Sequence, residues 1–155
     1  MCDDLQIKVG VIVVTTEGST AERRTGGCLC GAVRYETAWP PLITGVCHCR
    51  HCQRQAGSAF SVIVGVPFAA LEQHGALTTY EDDSDAGRAV YRKFCPACGS
   101  PVFSETPDGM AQGMIFIKAG TLDDPKDLAP TVHFWTSSAQ DWVVIPAGAH
   151  KLEGQ

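Results

Sequence analysis

The sequence lacks an apolar run able to cross a bilayer: its longest, Val9 to Val14, contains Gly10 and falls far short of the roughly 20 residues required. Its first residues, Met1-Cys2-Asp3-Asp4, lack the basic start of a secretory signal, and no small-residue cleavage site follows a long enough core. Cytoplasm is therefore the expected compartment, with no membrane partner. Heptads, internal repeats and low-complexity tracts are missing. The scattered glycines form no Gly-x-x-x-x-Gly-Lys loop for nucleotide phosphates. Basic charge is also short, with 12 Lys and Arg against 17 Asp and Glu and a formal net charge of -5. Ionised thiols would make the surface more negative still. Affinity for nucleic acid rests on Lys and Arg neutralising phosphates, so no nucleic-acid partner is expected.

What remains is one globular domain: 155 residues, 45% hydrophobic, suffice for a single core. Residues 1–24 read as an N-terminal extension, with apolar alternation at Ile7, Val9, Val11 and Val13 and then a polar stretch, either an edge strand with a linker or a flexible segment. Residues 25–146 form the domain proper, and 147–155 a tail. From Gly26 onward short segments alternate between Gly, Pro and Asp turns, the pattern of an all-β fold. Val33 and Tyr35 alternate with Arg34 and Glu36, predicting a half-buried strand. Further strands are predicted at Ala59 to Val66, Leu77 to Tyr80, Ala89 to Phe94, Gly113 to Ala119 and Thr131 to Trp135. Helix is confined to short turns, over Arg50 to Gln55 before Gly57 and over Phe68 to Gln73 before Gly75.

The eight cysteines carry the chemical signal. A reducing compartment and short spacings favour metal ligation over disulfides. Cys2 stands apart and reads as an incidental free thiol. Cys95-Pro96-Ala97-Cys98-Gly99 places two thiols on a tight turn, half of a tetrahedral zinc site. A redox pair is the alternative, but it expects an α/β context. Cys28 and Cys30 are expected on one face of an extended strand, offering the second half of such a site.

Cys47-His48-Cys49-Arg50-His51-Cys52 differs, because C-x-C-x2-C can set a tripod over one ion with a place left vacant. Three protein ligands plus water or substrate generally mark a catalytic zinc, and four a structural one. His48 or His51 is also a candidate fourth ligand that would close the site. Spacing alone leaves the partition open, since Cys95 and Cys98 joined to two central cysteines would leave Cys28 and Cys30 idle.

Three segments, Gly26-Gly27-Cys28-Leu29-Cys30-Gly31, Cys47 to Ser58 and Phe94 to Pro101, appear in order and together resemble the glutathione-dependent formaldehyde-activating enzyme family, which includes centromere protein V. The similarity runs from about Gly26 to Trp142. It implies a zinc-binding β-tent of antiparallel sheets, a structural zinc on Cys28, Cys30, Cys95 and Cys98, and an activity-linked zinc on Cys47, Cys49 and Cys52. The implied reaction is a carbon-sulfur lyase step on a thiol adduct of glutathione and formaldehyde, S-hydroxymethylglutathione.

The ligand chemistry agrees with that implication. Three thiolates donate strongly, so the ion is a mild Lewis acid, poor for hydrolysis and suited to capturing a substrate thiol as thiolate. Arg50, Arg54, His48 and His51 flank the tripod in sequence. The arginines are candidates for the carboxylates of an anionic thiol, and the histidines for proton transfer. His133, Phe134, Trp135 and Trp142 are expected in the core or at the site rim, the aromatics chiefly in the core, and His133 is a candidate to approach the open zinc. The competing readings are a non-catalytic zinc scaffold of the same fold and a thiol redox enzyme in the manner of methionine sulfoxide reductase B, which needs a spare cysteine where only Cys2 is free.

Overall fold

The computed structural model describes residues 22–154, so Cys2 and the strand expected around Ile7 to Val13 lie outside the described residues. The elements in order are β1 (Arg23–Gly27), β2 (Arg34–Ala38), β3 (Ile43–Cys47), α1 (Arg50–Ala56), β4 (Ser61–Pro67), β5 (Glu72–His74), β6 (Thr78–Asp83), β7 (Ala89–Phe94), β8 (Pro101–Glu105), α2 (Pro107–Ala111), β9 (Met114–Lys118), β10 (Val132–Phe134) and β11 (His150–Leu152). The fold is all-β, as expected. One sheet has three strands in the order β1-β2-β5, and the other eight in the order β11-β10-β3-β4-β9-β8-β7-β6. Pairing is antiparallel except at one edge, where β10 runs parallel to both β3 and β11.

Alternating side chains build the core between the sheets. Val33 and Tyr35, at and beside β2, meet Val64 and Val66 of β4, Val102 and Phe103 of β8, and Ile115 and Ile117 of β9. Full burial of each aliphatic chain contributes about 1.5–3 kcal/mol. Tyr35 packs edge-on against Phe103, ring centroids 5.2 Å apart. Its hydroxyl pairs with Thr121 Oγ1 at 2.9 Å. Opposite Tyr35 in the β1–β2 register sits Gly26. A Cβ there would collide with the Tyr35 phenol and the Thr121 carbonyl. Gly26→Ala is therefore expected to destabilise the domain by about 2 kcal/mol or more through overpacking. Urea titration reads the loss, with Gly120→Ala, whose new methyl group meets nothing within 4 Å, as the control expected to stay near neutral.

Several sequence boundaries shift. The helical turn expected over Phe68 to Gln73 stops at Ala70, because Glu72 to His74 are recruited as the second neighbour of β2. Helix α2 was not anticipated, although Thr106 caps it by accepting from the Gly109 amide and Pro107 occupies its first turn. Within the span 147–155 expected as a tail, His150 to Leu152 pair with Val132 to Phe134 as an edge strand. Three residues carry too little periodicity to announce a strand. The domain also begins slightly before residue 25, as β1 starts at Arg23. Trp142 is not core: it is 69% exposed, its indole donating to Gln140 Oε1 at 2.8 Å.

Candidate metal centres and the adjoining cleft

The four-thiol cluster forms where two turns meet. Cys28 and Cys30 do not lie on an extended strand as expected; Gly31 donates back to the Cys28 carbonyl at 3.1 Å and takes a positive φ of 79°, so a turn brings them together. Cys95 and Cys98 lie on the β7–β8 turn, closed by the Gly99 amide on the Cys95 carbonyl at 2.9 Å. Gly99 has φ 75°, a conformation that favours glycine. The Leu29 amide donates to Ser100 Oγ at 3.0 Å, pinning one turn on the other.

The ligand atoms of Cys28, Cys30, Cys95 and Cys98 lie within 4.8 Å of one another. Sγ separations are 3.5 Å for Cys28 to Cys30 and 3.8 Å for Cys30 to Cys95. Zinc–sulfur bonds of about 2.3 Å in a tetrahedron require sulfur–sulfur edges of about 3.8 Å, so the spacing suits a zinc-sized ion. None of the seven described cysteines is in a disulfide. The donor set and the spacing fit a closed metal site. Hydrogen bonding with Ser100 holds the Cys98 thiol down to about 5, which favours the thiolate state a metal needs.

The second cluster is built by a strand-to-helix transition. Cys47 ends β3, Cys49 caps α1, and Cys52 follows in the first turn with its amide on Cys49 Sγ at 3.3 Å. Gly57 ends the helix with φ 60°, as its position in the sequence predicts. The three ligand atoms lie within 4.8 Å of one another, and neither His48 nor His51 joins the group. The Cys47 thiol is pushed up by its hydrogen bonds with Cys49 and Cys52 and by burial. Cys52 is pushed down, by Cys47 and Cys49 first and then by the charges of Lys118 and Arg92. One negative charge is thus already favoured among the bare thiols.

His48 turns away into the protein. It is fully buried, stacked on His133 and edge-on to Phe60, with Nε2 2.9 Å from His133 Nδ1. Burial pushes both imidazoles below the usual histidine range. His133 therefore braces the cluster from behind through His48, and the His48 amide donates to the Phe134 carbonyl at 2.9 Å. Buried Gln53 adds a second brace, its amide donating to the carbonyls of His48 at 2.6 Å and Ser138 at 2.9 Å.

On the other side lies a cleft of about 510 Å³ lined by His51, Arg54, Gln55, Tyr80, Asp82, Arg92, Phe94 and Gly99. It reaches from α1 to the turn carrying Cys98. His51 sits between carboxylates, Nδ1 2.8 Å from Asp82 and Nε2 3.2 Å from Asp85. Asp82 in turn accepts from Arg92 Nε at 2.6 Å, and Arg92 Nη1 stands 3.9 Å from Cys52 Sγ. Of the two flanking arginines, Arg54 lines the cleft, whereas the Arg50 guanidinium is turned onto Gln53 Oε1. Asp82, Arg92 and Lys118 were not found from the sequence. Strand phase does not mark them: Asp82 is buried on β6, where every other position is exposed, and Arg92 on β7, where the other positions are half-buried.

The sequence profile described as "Glutathione-dependent formaldehyde-activating enzyme" matches residues 23–138. The chain belongs to this family. A Halomonas elongata protein, provisionally named as a member of the same family, is 30% identical over 125 residues, spanning 77% of this chain and 79% of its own. The crystal structure of a Rhodobacter sphaeroides protein shares the fold at TM-score 0.52 and 23% identity, covering 68% of this chain and 94% of that one. The matched span includes both cysteine clusters and the cleft, and it stops before β11. Family membership connects the chain with glutathione- and formaldehyde-related enzyme chemistry. Among the described residues no helix is long and apolar enough to cross a membrane.

Proposed function

We propose that the chain is a zinc-dependent carbon–sulfur lyase acting on a small thiol adduct such as S-hydroxymethylglutathione. The observation that carries this reading is a cluster of three thiols with no fourth donor among the described residues, next to a cleft walled by Arg54 and Arg92. A zinc ion held by Cys47, Cys49 and Cys52 would supply a mild Lewis-acidic position with room for one further sulfur or oxygen ligand. The arginines supply what an anionic tripeptide thiol needs, guanidinium forks for its carboxylates. Arg92 is held by Asp82 and so meets a ligand already oriented. In the splitting direction the carbon–sulfur pair of electrons stays on sulfur while the hydroxyl proton departs as the carbonyl forms. His51 lines the cleft with both ring nitrogens held by Asp82 and Asp85, so that proton passes to solvent rather than to the imidazole. The four-cysteine cluster supplies the structural site in this reading, so the chain holds two zinc ions. The free thiols of the seven described cysteines suit a reducing compartment, in keeping with the cytoplasm.

A non-catalytic scaffold would be favoured by a fourth protein ligand on the second cluster, and neither neighbouring histidine lies in position to serve. Exchange NMR on glutathione and 13C-formaldehyde tests the proposal. The zinc-loaded protein is expected to accelerate interconversion of aldehyde hydrate and adduct. Exchange at the buffer rate with glutathione and with other small thiols would overturn it.

A further inference from the structure

Lys118, at the end of β9, is 6% exposed. Its Nζ donates to Ser61 Oγ at 3.0 Å, using one of three donors. Among the described residues no carboxylate lies within ion-pair distance of it, although Arg92 has Asp82 and Lys93 has Glu105. A buried, unpaired ammonium is costly, so its position calls for a compensating anion.

The strand register shows which group is near. Lys118 lies opposite Ile63 on β4, and Ser61 lies opposite Cys47 on β3. The Lys118 side chain therefore runs along β4 toward the end of the sheet that carries the three-thiol cluster. Burial pushes the Lys118 ammonium below the usual lysine range, Arg92 adds to that, and the neighbouring sulfurs, Cys52 foremost, oppose it.

We propose that Lys118 is the built-in counter-charge of the three-cysteine site, fixing its preference for an anionic sulfur ligand over a neutral one. This rests on the lyase reading of that site. Three thiolates around a divalent ion leave one net negative charge, and an incoming thiolate makes two. A fixed ammonium in a poorly screened interior offsets that build-up alongside Arg92, whose guanidinium is shared between Asp82 and Cys52. Lys118 acts as a positioning residue for charge, and Ser61 holds it in place.

Cobalt(II) replacing zinc in the full chain makes capture of either ligand visible as a change in the d–d bands, with added sulfur-to-metal charge-transfer intensity for a thiolate. Lys118→Met is expected to weaken glutathione affinity by roughly tenfold or more while imidazole affinity stays within about twofold, because only the thiolate adds charge. Lys118→Arg should restore most of the glutathione affinity. Ser61→Ala should weaken it in the same sense by a smaller factor, which keeps the test decisive if the methionine variant fails to fold. Unchanged glutathione affinity in Lys118→Met, or in Ser61→Ala if that variant alone is soluble, would overturn the role, as would equal loss for both ligands. Wild-type protein that takes up no thiol at all would overturn the lyase reading and this role with it. Normal wild-type binding with an indifferent Lys118→Met would remove this role alone.

Discussion

Cys95→Ser is expected to yield a chain that is unfolded or insoluble at room temperature and retains at most one metal equivalent. Cys95 is completely buried and belongs to the main apolar core as well as to the four-thiol cluster. Its Sγ faces Cys30 across 65 residues of chain. Structural zinc contributes about 10–16 kcal/mol in small zinc-folded units. A domain of this size has only about 5–15 kcal/mol of net stability. Weakening that site and leaving a buried hydroxyl without its metal therefore removes most or all of the margin. Metal analysis with far-UV circular dichroism and thermal melting reads the result. A cooperative melt within a few degrees of wild type would contradict a structural role for this cluster.

The opposite outcome is expected for Cys47→Ser: a folded chain with one metal equivalent and activity reduced by more than about a hundredfold. Cys47 lies outside the main core cluster. Its neighbourhood is held by backbone pairing with Ser61 and Phe134, none of which needs sulfur. A serine hydroxyl is no substitute for thiolate as a zinc ligand, so the open cluster is reduced to two effective donors. Circular dichroism should be retained, with a melting temperature lower by a few degrees, while adduct exchange falls to near the buffer rate. Stability losses as large as those of Cys95→Ser would erase the distinction between the two clusters.

The parts of this site that the sequence displayed were those made locally. The Cys95 to Gly99 knuckle, the Cys47 to Cys52 run and the Gly57 helix end each occupy a few consecutive residues whose spacing dictates the geometry. The β pattern was readable for the same reason: the segment expected at Ala89 to Phe94 is β7, and those at 113–119 and 131–135 contain β9 and β10. What stayed hidden depends on register. Lys118 ends a strand that reads as ordinary alternation, and nothing local says that Ser61 will meet it. Asp82 and Arg92 become partners only when β6 and β7 pair, with Tyr80 opposite Arg92. His133 braces His48 only because β10 inserts parallel to β3. Short strands such as β5 and β11 are defined by neighbours rather than by their own composition.

The two turns that close the four-thiol cluster are far apart in the order of synthesis. Cys28 and Cys30 leave the ribosome early, and Cys95 and Cys98 follow some 65 residues behind. At typical elongation of about 5–20 residues per second, the first pair waits several seconds for its complement. The strand that backs His48 emerges later still, at Val132 to Phe134. A nascent chain therefore cannot assemble the four-thiol cluster until Cys98 has emerged, and a fragment ending earlier carries only part of that sulfur set.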